Sequence, residues 1–467
     1  MIANPIETHV VTGSWIHCGY HLTTSIVAPA LLSLPYAFAF LGWAGGLICL
    51  VIGALVTFYS YNLLSLVLEH HASSGHRLLR FRDMAHHILG PRWGKYVVGP
   101  VQFAVCYGAV VGSSLLGGQC LKVSSFPFHA YKCVACELAI KLTSQPFMIM
   151  PMPYYHYAIY LLSDPNGTMK LYQFVIIFGG LMLVLAQMPS FHSLRHINLI
   201  SLVLCLAYSA CAAAGSIYIG HTSKGPKKDY SIEGNSEDRI FGVFNAIAII
   251  ATTFGNGIIP EIQATVAPPV KGKMFKGLCV CFTIVCMTFF SVAVSGYWAF
   301  GNQAQGQILS NFVVDGKVLM PKWFVLMTNV FVLFQLAAVG VIYLQPTNEV
   351  LEGALADPKS KQFSMRNVIP RIIARSISVA IAITIAAMLP FFGDINGLLG
   401  AFGFLPLDFV MPVVLFNFTF KPSKRSFKFW LNLTIALVFS VLCVIGSVAA
   451  VRQIVLDAKT YKLFANV

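Results

Sequence analysis

Phe254-Gly255-Asn256-Gly257-Ile258-Ile259-Pro260-Glu261 lies inside a stretch, 241–266, that otherwise reads as one membrane-crossing helix. Two glycines and a proline interrupt that helix directly before Glu261, the one acid in the stretch. An ionisable side chain at membrane depth costs at least about 2.5–3.5 kcal/mol, so its presence there points to function. Unwound backbone at that depth is tolerated only where it is buried in protein or lines a cavity. Together the two features indicate a solute or ion site near the bilayer centre, of the kind secondary transporters build.

The surrounding sequence places this stretch in an all-α integral membrane protein. Of 467 residues, 57% are hydrophobic and only 10% charged, where soluble domains run at about 25% charged. Apolar runs long enough to cross a bilayer predict about eleven transmembrane helices, at 21–41, 43–68, 97–121, 171–188, 197–219, 241–266, 275–300, 323–347, 371–391, 396–418 and 428–452. These form a single transmembrane domain over 1–467. The net charge of +14 does not indicate nucleic acid, because the basic residues lie mostly in short segments between apolar runs. Arg77, Arg80, Arg82, Arg92 and Lys95 share the first such loop, which the positive-inside rule assigns to the cytoplasm together with the N-terminus. Eleven spans then put the C-terminus outside. Residues 1–19 carry no Lys or Arg and no apolar core, so no cleaved signal is predicted and the first span directs insertion.

The 12 cysteines are scattered, and Cys49, Cys106, Cys205, Cys211, Cys279, Cys281 and Cys286 fall inside apolar runs. There they serve as small hydrophobes rather than as a disulfide framework. Cys133-x-x-Cys136 with His129 is one cysteine pair without a second, so no metal site is assigned. No nucleophile–base set or cofactor motif stands outside the spans, which argues against an enzyme. Asn166-Gly167-Thr168 is a glycosylation sequon in a loop that this topology places outside.

The first span is interrupted as well. In Ser25-Ile26-Val27-Ala28-Pro29-Ala30-Leu31-Leu32-Ser33-Leu34-Pro35, Pro29 removes a backbone donor and clashes with the preceding turn, so the helix kinks or unwinds there. If spans 1–5 and 6–10 are two repeats, the broken helices 1 and 6 occupy matching positions. That match is the strongest sequence pointer to a transporter's binding site.

Those residues carry a family resemblance. Gly19 to Ala37, with its Ser25-Ile26-Val27-Ala28-Pro29 core, resembles the first span of the amino acid/auxin permease family. Pro260-Glu261-Ile262-Gln263-Ala264-Thr265, followed by Pro268-Pro269-Val270-Lys271-Gly272-Lys273-Met274, resembles the sixth span and its loop. Leu407-Asp408-Phe409 and Phe418 to Ser426 are similar to the plant GABA transporters within it. The resemblance covers the chain except 123–157 and implies a LeuT-like 5+5 inverted repeat with an eleventh helix. It further implies proton-coupled import of GABA and related small amino acids in the plasma membrane, with H⁺ as coupling ion and no cofactor. The expected partners are a small amino-acid substrate and the lipid bilayer. Alternatives are an importer of proline, betaine or a broad set of neutral amino acids and, in another class, an amino-acid sensor without significant flux. A sensor would be expected to carry long soluble tails, and Met1–Tyr20 and Gln453–Val467 are short. Many relatives have a glycine-rich break in span 1 where this chain has Ala28-Pro29-Ala30.

Residues 123–157 do not fit the pattern. Joining Lys122 to Ala158 gives Cys-Leu-Lys-Ala-Ile-Tyr-Leu-Leu without interruption, which reads 123–157 as an insert or translated retained intron; a genuine external loop is the rival.

An amino-acid substrate brings a carboxylate, suited to unwound N–H groups and half-helix N-termini, and an ammonium, suited to unwound carbonyls. The substrate-binding residues expected from this are Ile26, Val27, Ala28, Pro29 and Ala30 in span 1 and Phe254, Gly255, Asn256 and Gly257 in span 6. Asn256 either binds substrate or caps the broken helix. Glu261 is the preferred proton-coupling group and Asp408, in span 10 between Pro406 and Pro412, the second. Asp394, in the short segment 392–395, reads as a solvated loop residue.

Overall fold

A computed structural model describes residues 15–76, 78–125, 170–187, 195–222, 225–264, 272–314, 317–355 and 364–460. Asn166 and nearly all of 123–157 lie outside these residues; the helix of span 3 continues through Ser125.

Among the described residues the chain is helical apart from loops and one hairpin, Val313–Val314 against Lys317–Val318. Nine apolar helical segments among the described residues are long enough to cross a bilayer. One of them, Cys18–Ser73, has 56 residues, nearly three times the roughly 20 that one crossing needs. It turns back at Gly42, whose φ of 67° and ψ of −177° are closed to any residue with a side chain. Phe38 consequently lies against Gly46, eight positions on, a contact that a straight helix forbids. This segment therefore supplies spans 1 and 2. With the shorter helix Leu171–Leu185 as span 4, the eleven predicted spans are all found as helices.

Spans 3, 5, 6, 7, 8, 9 and 11 are built on Gly99–Ser125, Arg195–His221, Ser236–Phe254, Lys273–Phe300, Lys322–Leu355, Met365–Met388 and Phe427–Thr460. Span 10 combines Phe392–Leu399, a π-helical stretch Gly400–Val410 and Met411–Phe420. Spans 1, 2, 6 and 7 pack on one another, and spans 3, 4, 8 and 9 form a second mutually packed group. Span 5 leans on spans 1, 7 and 8, and span 10 lies between spans 6 and 11. Aliphatic side chains such as Ile48, Val51, Ile52 and Leu55 on span 2 and Val441, Val444 and Val448 on span 11 remain exposed, as expected of surfaces that meet lipid tails.

An ion cluster fastens the second group where spans 8 and 9 approach each other. Glu352 of span 8 lies 2.6 Å from Arg375 and 3.0 Å from Arg371, both of span 9. Arg375 is only 4% exposed and also donates to the Ala186 carbonyl beyond span 4. Removing one member of a buried pair strands the other charge, at a cost of about 3–5 kcal/mol. Glu352→Gln is therefore expected to lower the Tm of the detergent-purified protein, measured by tryptophan fluorescence on heating. An unchanged Tm would show that water compensates Arg375.

Candidate functional site

The break in span 1 follows from Pro29. Val27 N–H still reaches the Thr23 carbonyl at 2.8 Å. Ala28 is then extended (φ −86°, ψ 162°), as steric contact with a following proline favours. Pro29 opens the short 3₁₀ turn Pro29–Ser33, where its missing donor is one that a first turn leaves unused. Ile26 and Val27 are fully buried, whereas Ala28 and Ala30 are half-buried.

The break in span 6 follows from its two glycines. The helix ends at Phe254, Gly255 is extended, and Gly257 is left-handed at φ 68°. A short helix, Ile259–Ala264, then resumes. Phe404 of span 10 packs on Gly255 so closely that a Cβ there would stand 2.2 Å from its ring.

The two breaks touch. The Asn256 amide donates to Ser25 Oγ at 2.6 Å, and its Oδ1 accepts the Ile258 N–H at 3.2 Å. Asn256 thus closes a local turn just ahead of the resumed helix while joining span 6 to span 1. Backbone groups freed by unwinding must find partners in a buried setting, and side chains from four other spans supply them. Tyr208 of span 5 donates to the Val27 carbonyl at 3.1 Å. Tyr61 of span 2 donates to that of Phe254 at 2.8 Å, and Tyr343 of span 8 to that of Asn256 at 2.9 Å. Gln102 of span 3 donates to the Gly257 carbonyl at 3.1 Å.

The two N–H groups at the break, those of Asn256 and Gly257, are held by Asp408. Its carboxylate accepts from Asn256 at 3.1 Å and from Gly257 at 3.2 Å, and the residue has no exposed surface. The fold of span 10 makes this possible. Gly397 and Gly400 bring the span against Asn245 and the Ala248 carbonyl of span 6, with no room for a side chain. The π turns around Pro406 then shift the register of the helix, and Asp408 emerges facing the break. A carboxylate, with two acceptor oxygens and a negative charge, suits two adjacent N–H donors freed from a helix.

Glu261 lies one turn beyond the break, toward the end of span 6. Its Oε1 accepts from the second hydrogen of the Gln102 amide at 2.8 Å. It lines a small cavity of about 20 Å³ with Arg80, Arg82, Gly99, Gln102, Phe103, Pro346 and Val350, room for one water molecule. The structure thus seats Asp408 in the break itself and Glu261 at the mouth of a crevice below it. Asp394, expected in a solvated loop, is only 2% exposed. The segment 392–395 is helical, and Gly393 packs against Tyr36 and Gly306, which closes water away.

Sequence reasoning did not single out Tyr61, Tyr208, Tyr343 or Gln102. Tyrosine is unremarkable in an apolar span, but a glutamine early in span 3 was a visible signal of a buried polar contact. Among the described residues no group of three or more His, Cys, Asp or Glu side chains is placed to hold a metal ion.

The sequence pattern of the family described as transmembrane amino acid transporter protein matches residues 11–453. GABA transporter 1 of Arabidopsis thaliana is 62% identical over 457 residues, covering 97% of this chain and 94% of the relative. Lysine histidine transporter-like 1 of the same plant is 27% identical over 97% of this chain and 90% of its own length. Among solved structures, a Na⁺-coupled sialic acid symporter in a substrate-bound outward-open state aligns over 97% of this chain and 91% of that one, with 12% identity and a TM-score of 0.49. MhsT in complex with L-phenylalanine aligns over 92% and 98%, with 12% identity and a TM-score of 0.48. The family pattern spans nearly the whole chain and both relatives cover 97% of it: this protein, a multi-pass membrane protein and not an enzyme, belongs to the transmembrane amino acid transporter family.

Proposed function

We propose that the protein imports GABA and related small amino acids across the plasma membrane by proton-coupled alternating access. The observation that carries this reading is Asp408, a buried carboxylate seated between two touching helix breaks, in a chain 62% identical to a GABA transporter. Substrate binds at Ile26–Ala30 and Phe254–Gly257. The broken backbone there is held by tyrosine hydroxyls and one carboxylate, so a zwitterion enters by exchanging with them: its carboxylate takes the N–H groups that Asp408 holds, and its ammonium takes a carbonyl that a tyrosine holds. The backbone groups keep a partner throughout; the displaced Asp408 carboxyl takes up the coupling proton or accepts from the released tyrosine hydroxyl, because an unmade bond in the buried setting costs about 1–3 kcal/mol.

Protons supply the driving force through Glu261 and Asp408. One proton moving down about 100 mV yields about 2.3 kcal/mol, and two pH units add about 2.7 kcal/mol. The total, about 5 kcal/mol, supports accumulation of a zwitterion by a factor of several thousand. The N-terminus is placed in the cytoplasm and the C-terminus outside, supported by the basic loop that contains Arg80 and Arg82.

Uptake of labelled GABA, proline and alanine in cells lacking their own carriers, at external pH 5 and 7, tests this reading. GABA uptake that is faster at pH 5 is expected. Faster uptake of proline or of many neutral amino acids would replace GABA as substrate, and no uptake of any of them would leave the sensor reading in its place. Glu261→Gln keeps the acceptor for Gln102 but cannot ionise. It is expected to abolish concentrative uptake while surface labelling stays normal; concentrative uptake at the normal level would make Glu261 structural.

A further inference from the structure

We propose that Gln102 is a positioning residue that ties the proton state of Glu261 to the conformation of the span 6 break. The inference rests on the proton-coupled reading above and deepens it. One amide nitrogen, Gln102 Nε2, donates one hydrogen to the Gly257 carbonyl at 3.1 Å and the other to Glu261 Oε1 at 2.8 Å. Gly257 is therefore gripped on both sides: Asp408 of span 10 holds its N–H and Gln102 of span 3 holds its carbonyl. It is also the residue with the left-handed backbone on which the break depends.

The chemistry of the bridge makes it sensitive to a proton. A hydrogen bond to an ionised acceptor is roughly twice as strong as one to a neutral acceptor. Ionised Glu261 fixes the Gln102 amide and so keeps the Gly257 carbonyl engaged. Protonated Glu261 holds that amide weakly, and the carbonyl is released for another donor. Gln102 is 5% exposed, and the crevice beside it has room for one water molecule at most.

The surroundings of Glu261 leave Gln102 as the link to the break. From the segment before span 3, Arg80 and Arg82 line the same crevice. From span 3, the buried Cys106 thiol lies one turn beyond Gln102. Span 8 contributes the apolar Pro346 and Val350. Span 2 meets the resumed helix through the Ser65 carbonyl, which accepts from Gln263 at 3.2 Å. Asp408 lies on the far side of Gly257. The Gln102 amide joins Glu261 directly to the unwound backbone.

The test compares the wild-type carrier with Gln102→Met, which keeps the volume and loses both donors, and Gln102→Glu, which keeps one donor when protonated. Proton entry per labelled substrate is recorded with an internal pH dye, and initial uptake is measured from external pH 5 to 8. The wild type should show proton entry with substrate and uptake that rises as pH falls. Gln102→Met should still take up substrate but with at least a several-fold smaller ratio between pH 5 and pH 8, and with less than half the protons per substrate. Gln102→Glu should recover part of the ratio at low pH. A purely structural role would lower uptake equally at every pH and leave protons per substrate unchanged, which would overturn the proposal. If Gln102→Met does not reach the surface, Gln102→Glu decides alone: an unaltered pH profile and unaltered protons per substrate would reject it. A wild type without any proton entry would instead refute proton coupling itself, and the proposal with it.

Discussion

Asp408→Asn is expected to cut substrate uptake by about 100-fold or more, with the protein still present at the cell surface. The carboxylate accepts from two N–H groups of the unwound backbone, at 3.1 and 3.2 Å, in a site with no exposure. Bonds to a charged acceptor are worth about 1.5–3 kcal/mol each. Asparagine has the same shape but only one acceptor oxygen, and its NH₂ would face the donors it should receive. Losing one such bond and opposing another amounts to roughly 3 kcal/mol, or about a factor of 100. Removal of a buried charge offsets part of that cost for folding, which is why loss of transport is expected to exceed loss of expression. Asp408→Glu keeps the charge and displaces it by one methylene, so it should retain more uptake than Asp408→Asn. Full uptake by Asp408→Asn, measured beside surface biotinylation, would show that the break holds its shape without a carboxylate.

Gly255→Ala is expected to have the next largest effect and to be rescued by a second change. The new Cβ would stand 2.2 Å from the Phe404 ring. Overpacking of this kind costs about 1–3 kcal/mol, and at this position it pushes spans 6 and 10 apart and drags Asp408 from the N–H groups it holds. Uptake should fall at least tenfold. Phe404→Leu alone should lose less, and the double variant should recover uptake relative to Gly255→Ala, since contacting residues couple by about 0.5–3 kcal/mol in a double-mutant cycle. Additive losses in the two single variants would mean that the ring and the glycine do not meet in the working protein.

Much of the architecture could be read from local chemistry. Pro29 and the Gly255–Gly257 pair announced both helix breaks because they act on their own backbone, and the chain turns back at Gly42, between the two first predicted spans. The partners of the breaks were harder to read. Tyr61, Tyr208, Tyr343 and Asp408 reach the unwound backbone across separations of 87 to 193 residues. No periodicity within one span encodes such a meeting. Asp408 was visible as a membrane acid, but its direction depends on the π turns of Gly400–Val410, and a change from α to π hydrogen bonding leaves little trace in composition. Asp394 was misjudged for a related reason: the shortness of 392–395 suggested a loop, while the packing of Gly393 on Tyr36 carries the helix inward.

The division of the spans into two packed groups has a consequence for speed. Tyr343 and Gln102 reach the span 6 break from spans 8 and 3, so their bonds cross from one group to the other. If the groups rock against each other, as the proposed alternating access requires, those bonds break and reform once per cycle and their lifetimes meter the throughput. Strengthening the seam would harden the protein against heat and slow its turnover in the same stroke.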